Sequence, residues 1–295
     1  MKIPTLKRLI ELAGEDNSLR RALLKEEIIT TRSSFDVHPF TFNGYSGENI
    51  IVHPDKSPYV VLSAHYDVHG ESLGANDNTS SLVVLEAVNR YLNKNPLQNM
   101  GVQIVYFDLE EFQGNEDEEN LSGVLGSQAY VRDILEYHNT IGILNLDMVG
   151  VGLNYCMWGA LPEMTDESLL VWSLQKTMNE LGQNGYMVEY IENCCSDHES
   201  FYVARKHFGI DAITLMATDK KDSYLLKLQS KLVESGDLSL KFPNITSKIV
   251  QNTSAVKFAH NGFDTVDRIS EMSLLRTYQL VIGTLQTMDN SIELG

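Results

Sequence analysis

Cysteine is scarce in this sequence. Cys156, Cys194 and Cys195 are the only ones, odd in number and two of them adjacent, so no disulfide framework is expected to hold the fold. They read as reduced thiols in a cytoplasmic protein. Basic charge is also short: 23 Lys and Arg stand against 40 Asp and Glu, a net charge of −17. That balance argues against nucleic acid and anionic membranes as partners, and suits a site that attracts cations such as metals or peptide amino termini. No run of about 18 apolar residues occurs, which argues against a membrane-spanning helix. The opening segment, MKIPTLKRLIELAGEDN, lacks an uninterrupted apolar stretch. It reads as an amphipathic helix with Ile3, Leu6, Leu9, Ile10 and Leu12 inward, not as a secretory signal. In a cytoplasmic chain the Asn-x-Ser/Thr sequons at Asn78, Asn120, Asn244 and Asn252 are chance matches. There is no internal repeat and no Pro- or Gly-rich linker, so one domain over 1–295 is the simplest organisation.

What is present is an ordinary apolar fraction, 43%, arranged in alternating short and long periods. Phe35–Phe42 and Asn49–His53 read as short strands. Tyr59–His65 (YVVLSAH) is a near-continuous apolar run, as expected for a strand buried on both faces. Helix 77–93 follows, with Leu82, Leu85, Val88 and Leu92 at helical spacing. The unit repeats in kind: strand 102–109, helix 122–138, strand 141–147. Then come strand 153–158, helix 163–181, strand 187–191, helix 197–207, strand 210–216 and a closing helix over about 270–288. Strands alternating with helices predict an α/β fold: three layers, a mostly parallel mixed sheet with helices on both faces. Two polar segments fall outside this pattern. Residues 113–120 form an acidic loop, and 217–256 are a lid, a dimer contact or an excursion beside the site.

In such a sheet ligands bind beyond the carboxyl ends of the strands, and His65, Glu110, Glu111 and Asp147 all fall there, on three different strands. His65 offers a neutral imidazole nitrogen to a metal. Asp67, two residues on, shares its face in extended backbone and can accept the other imidazole N–H, fixing the tautomer. Asp77 sits at a helix start, where local amides hold a carboxylate able to bridge two cations. Glu110 and Glu111 are adjacent, so they point in different directions from a strand end. One can ligate a metal while the other faces a water as general base. Asp147 ends the apolar run ILNLD and needs a strong partner. His260 is the candidate that spacing alone supports least. A two-metal hydrolytic site needs about five such ligands.

These residues stand in HYD (65–67), GANDN (74–78), LEE (109–111) and NLD (145–147), with SDHESF (196–201) and AHNGFDTVD (259–267) further along. In that order, over most of the chain, they resemble the zinc aminopeptidase family that includes glutamate carboxypeptidase and, as a divergent branch, glutaminyl cyclase. The resemblance implies a zinc-exopeptidase-like fold with two divalent metal ions, zinc with cobalt or manganese as substitutes. Asp77 would bridge them, His65 and Asp147 would hold one, and Glu111 and His260 the other. Glu110 would be the general base and Asp67 the residue that orients His65. Ser81 and Ser200 depart from the family's usual Gly and Pro at these places, and His198 is a wall residue of the site, not a ligand.

The activity implied is an aminopeptidase acting on short peptides. A glutaminyl-cyclase-like acyl transferase is the alternative, and so is a carboxypeptidase on acidic peptides, for which Arg205, Lys206, Lys220 and Lys221 are the basic candidates. The partner expected is a peptide, with neither nucleic acid nor membrane. A homo-oligomer is open.

Overall fold

The computed structural model of the chain describes residues 6–42, 44–111, 123–158, 168–188, 196–201, 206, 208–222, 252 and 256–293. The segment 113–120, most of 217–256 and the side chain of His198 lie outside them.

Two helices lead, α1 (Leu6–Leu12) and α2 (Asn17–Thr31). The Asp16 carboxylate caps α2 by accepting the Leu19 N–H at 2.9 Å, which satisfies one of the free donors of the first turn. The hairpin β1 (Phe35–Phe42) and β2 (Tyr45–Val52) follows, then β3 (Tyr59–His65), α3 (Ser80–Leu92) and β4 (Gly101–Phe107). Next come α4 (Leu125–Asp133), β5 (Thr140–Leu146), β6 (Asn154–Trp158), α5 (Leu169–Glu180), β7 (Asn184–Val188) and β8 (Ala212–Thr218). A long α6 (Glu271–Glu293) ends the described chain.

The strands form an 8-stranded sheet in the order β1-β2-β4-β3-β5-β8-β6-β7. The pairs β3–β4, β3–β5, β5–β8 and β6–β7 are parallel, while β1–β2, β2–β4 and β6–β8 are antiparallel. The mixed, mostly parallel sheet agrees with the sequence reading. Every residue of β3 is buried, and the strand's period of two divides them. Val60, Leu62 and Ala64 join the core beneath α1, α2, α3, α5 and α6. Tyr59 and Val61 join the opposite core with Tyr130 of α4 and Phe201.

After β3 the chain crosses to β4 on one side and later to β5 on the other, so β3 lies at the point where the winding reverses, the usual ligand crevice of an open α/β sheet. The register sets the depths: His65 pairs with Phe107, and Ser63 pairs with Asn145, which places Asp147 level with His65.

Three local expectations are corrected. Helix 77–93 begins only at Ser80, because Asp77 (φ −107°, ψ 90°) and Asn78 break helical geometry within the tight turn Ala75–Thr79. The helix expected over 197–207 opens as a 3-10 turn, Asp197–Phe201, pinned by the fully buried Phe201 ring, while Lys206 is helical and 202–205 and 207 lie outside the described residues. Ile10 is 60% exposed: on a two-turn helix Leu9 and Leu12 share the inward face, and the residue beside Leu9 turns away. Cys156 is buried and free. No described helix is long and apolar enough to cross a membrane.

Candidate active site

His65 closes β3 fully buried, and its ring is held from below. Its Nδ1 faces the main-chain oxygen of Asp67 at 3.3 Å and the Asp67 Oδ1 at 3.4 Å. A carbonyl only accepts, so Nδ1 carries a proton and Nε2 is the nitrogen turned outward. Its described neighbours there are all acceptors: Asp77 Oδ1 at 3.1 Å, Asp147 Oδ1 at 3.7 Å and Glu110 Oε2 at 3.9 Å. On the other side of Asp77, its Oδ2 lies 3.4 Å from His260 Nε2, which is also 3.3 Å from Glu111 Oε2. Asp77 therefore has one oxygen towards each imidazole. His65 is sealed in, whereas the His260 side chain is 56% exposed and stacks on the ring of His69 at 4.6 Å.

The loops that deliver these groups are tied to one another. The Asp67 carboxylate accepts the backbone N–H groups of Glu110 at 3.1 Å and Glu111 at 2.9 Å. That fixes the Glu-Glu turn, whose preceding Leu109 lies in the left-handed region at φ 57°. Asn78 clamps the end of β5: its Nδ2 donates to Leu146 O at 3.0 Å and its Oδ1 accepts from Met148 N at 3.2 Å. Met148 too is left-handed, at φ 54°. An apolar residue in that region is strained unless its surroundings over-determine it, and here both flank site carboxylates. Asp264 accepts the amides of Asn76 at 2.8 Å and Asp77 at 3.0 Å. Gly74 opens the turn at φ 60°, where an added Cβ would meet Asp77 O at 2.9 Å. The Asp77–Asn78 peptide is cis.

The electrostatics follow from packing acids together. Burial raises Glu110 well above the usual range, reinforced by Asp197, Asp147 and Asp77 and opposed by His65. Burial, with Asp77 and Glu110 beside it, pushes Glu111 up to about 12. Burial alone would depress His65, but Glu110, Asp147, Asp67 and Asp77 raise it well above its ordinary value. Burial would likewise raise Asp77, yet the two imidazoles hold it well below the usual carboxylate range. Without an added cation, the cluster must hold protons.

The donors fit a divalent cation. Ligands about 2.0–2.1 Å from a tetrahedral zinc lie roughly 3.3 Å from one another, close to the spacings around His65 Nε2 and His260 Nε2. Asp147 supplies a sharper test. Its Oδ2 accepts from Ser196 Oγ at 2.9 Å, while the buried Oδ1, on the His65 side, has no hydrogen-bond partner among the described residues. A buried carboxylate oxygen so placed suits a cation. Imidazole and carboxylate donors suit zinc. Among the described residues, two groups lie close enough to share an ion: His65 with Asp77 and Glu111, and His65 with Glu110 and Asp147.

All the residues singled out in sequence, His65, Asp67, Asp77, Glu110, Glu111, Asp147 and His260, converge here. Sequence reasoning missed Arg20, Asn78, Ser196, Asp197 and Asp264. Asp197 is fully buried beside the cluster, and burial pushes its carboxyl up to about 7 against the pull of His65. Asp197, Ser196, Asn78 and Asp264 lie inside motifs already quoted, so their proximity was signalled; Arg20 was not. Of the basic candidates, Arg205 lies outside the described residues, and none of the other three shares a described contact with the cluster.

The family model for Peptidase family M28 matches residues 49–285. The chain belongs to this family. Among M28 relatives, aminopeptidase YwaD of Bacillus subtilis (strain 168) is 28% identical over 203 residues, covering 68% of this chain and 39% of that protein. A zinc aminopeptidase structure from Bacillus subtilis superposes with a TM-score of 0.58 at 21% identity, over 83% of this chain and 50% of that one. A glutaminyl cyclase from Porphyromonas gingivalis superposes at 0.68 and 20% identity, over 97% of this chain and 95% of the other. The chain thus spans half or less of these two aminopeptidases and nearly the full length of the cyclase.

Proposed function

We propose that this M28 member is a two-metal exopeptidase, an aminopeptidase that releases N-terminal residues from short peptides. The observation that carries the reading is the division of the Asp77 carboxylate, Oδ1 towards His65 and Oδ2 towards His260, which gives two cations a shared ligand. His65 and Asp147 would hold one ion, Glu111 and His260 the other, with zinc the metal that suits the donors and cobalt or manganese able to replace it. Bound there, the ions would polarise a peptide carbonyl and acidify a water, whose pKa falls from ~15.7 towards ~7. Glu110 takes the proton of the attacking water as its oxygen bonds to the carbonyl carbon. As the C–N bond breaks, Glu110 passes that proton to the departing nitrogen. Asp67 keeps His65 in the tautomer that presents Nε2, and the negative cluster draws in a free α-ammonium group. We take 1–295 as one catalytic domain working in the cytoplasm, its buried, unpaired Cys156 being consistent with a reducing setting.

A second reading is a glutaminyl-cyclase-like acyl transferase, whose fold match runs over nearly the whole length of both chains, as does that of a leucine aminopeptidase precursor from Bacteroides thetaiotaomicron. His65 counts against it, because the cyclase branch typically keeps a single zinc and lacks the first histidine.

A release assay separates the readings. Aminoacyl, N-blocked, C-terminally acidic and N-terminal glutaminyl peptides are offered to protein supplied with zinc, cobalt or manganese, and metal content is measured alongside. Release from free N-termini at about two ions per chain, abolished by Glu110→Gln, is expected. Cyclised product at one ion per chain would transfer the assignment to the second reading, and no metal uptake would sink both.

A further inference from the structure

The N-terminal helix α2 places an arginine under the metal-binding loops, from outside the stretch that the family model matches, 49–285. Arg20, Leu24 and Ile28 form the buried stripe of α2, and Arg20 is 0% exposed. A charge at such a position is costly unless its donors are satisfied. No carboxylate among the described residues lies within ion-pair reach of it. Its described partners are neutral and serve the two terminal nitrogens, not Nε: Nη1 donates to Tyr66 O at 2.8 Å and Asp67 O at 3.4 Å, and Nη2 donates to Gly74 O at 3.1 Å and to Thr79 Oγ1.

Those acceptors belong to two separate segments. Tyr66 and Asp67 follow His65, while Gly74 and Thr79 bracket the turn that carries Asp77. One guanidinium therefore fixes how the His65 strand end sits against the Asp77 loop, the relationship on which the His65–Asp77 spacing depends. The planar fork suits this task, because its donors diverge at fixed angles where an ammonium's do not. The negative groups whose field reaches Arg20 are the site's own: Asp67, Asp77, Asp264 and Glu111.

We infer that Arg20 is a positioning residue for the metal centre, holding the His65–Asp67 and Gly74–Thr79 backbones in register so that His65 and Asp77 can share a cation. This rests on the metal-centre reading above.

The test measures zinc affinity of the full chain by competition with a chromophoric chelator, alongside thermal unfolding in excess chelator. Variants are Arg20→Met, Arg20→Lys, Thr79→Val and, as a control one turn along the same buried stripe, Leu24→Ala. Loss of a group that supports metal ligands typically costs about 10–100-fold in affinity, and Arg20→Met is expected in that range. Arg20→Lys, which keeps the charge but not the fork, should also fall, and Thr79→Val less. Leu24→Ala should lower the melting temperature and bind zinc as the wild type does. If Arg20→Met fails to fold, Arg20→Lys and Thr79→Val decide. Wild-type affinity in the folded Arg20 variants, or an equal loss in Leu24→Ala, would overturn the inference alone. A wild-type chain that takes up no zinc would instead remove the reading beneath it.

Discussion

Ser196 Oγ donates to Asp147 Oδ2 at 2.9 Å and so decides which oxygen of Asp147 is left for a cation. Ser196 in turn accepts from Asn145 Nδ2 at 2.9 Å, and Asn145 accepts from Ser63 Oγ at 2.9 Å. A chain of neutral groups across β3, β5 and the 196–201 turn thus ends on a carboxylate. Removing the hydroxyl with Ser196→Ala frees Asp147 to rotate and leaves both its oxygens without a donor among the described residues. Zinc affinity should drop about 10-fold, the lower end for a group supporting a metal ligand, with far-ultraviolet circular dichroism unchanged. Chelator competition reads the loss, and unaltered affinity would show that Asp147 is held by other means.

Asp67 has two duties in this geometry, one towards the His65 ring and one towards the Glu110 and Glu111 amides. Asp67→Asn keeps the shape but offers only one acceptor oxygen. It should therefore impair both metal binding and turnover, whereas Glu110→Gln should lower turnover by about 10²–10⁴-fold with zinc affinity much less affected. Kinetics at saturating zinc, paired with metal titration, separate the two patterns. The same pattern in both variants would leave Asp67 without a role in metal binding.

Much of the site was legible because the chemistry sits where apolar runs stop. His65 after YVVLSA and Asp147 after ILNL are polar residues at the ends of strands buried on both faces, so a function was the simplest reason for them. Asp77 is legible through its loop, although the helix begins three residues later than its apolar spacing suggests, because the side chains of Asn78 and Thr79 are committed to Leu146, Met148 and Gly74. The helix expected over 197–207 starts as a 3-10 turn over 197–201, since Ser196 and Phe201 are both tied into the interior. Arg20 was illegible for another reason. Its partners are main-chain oxygens and one hydroxyl, contributed 46 to 59 residues away, and no pattern of residue types announces a backbone acceptor.

The acid cluster gives metal binding a definite pH dependence. Glu110 and Glu111 have raised values, Glu111 to about 12, and His65 is also raised, so near neutral pH the metal-free site holds protons that a cation must displace. Zinc uptake should release protons, and apparent affinity should rise from about pH 6 to about pH 8. Stability moves the other way without metal. Groups whose folded values lie above their unfolded ones contribute stability that is full below the unfolded value and lost as pH rises towards the folded one. For the two glutamates that window opens near about pH 4.3, for His65 near about pH 6.5. The melting temperature of chelator-treated protein should fall across this range, and the increment given by zinc should grow. Calorimetry in buffers of different ionisation enthalpy counts the protons. Uptake without proton release would contradict the electrostatics described.

Gly74 and Gly44 separate the cost of an unusual backbone from the cost of crowding the metal loop. Both have positive φ, 60° and 86°, but an added Cβ at Gly44 meets nothing within 4 Å, whereas at Gly74 it meets Asp77 O at 2.9 Å and the Val68 methyls at 3.0 and 3.1 Å. Alanine at either place carries the left-handed penalty of about 1–2 kcal/mol. At Gly74 the main-chain oxygen cannot move without carrying Asp77 along, and the displacement reaches the carboxylate that faces both imidazoles. Gly44→Ala should lower the melting temperature and leave zinc affinity and turnover as they were. Gly74→Ala should lower all three, with zinc affinity falling at least about 10-fold. If the two variants lose stability equally and zinc affinity survives in both, the turn tolerates the shift, and the positions of His65 and His260 rather than the Asp77 backbone set the site.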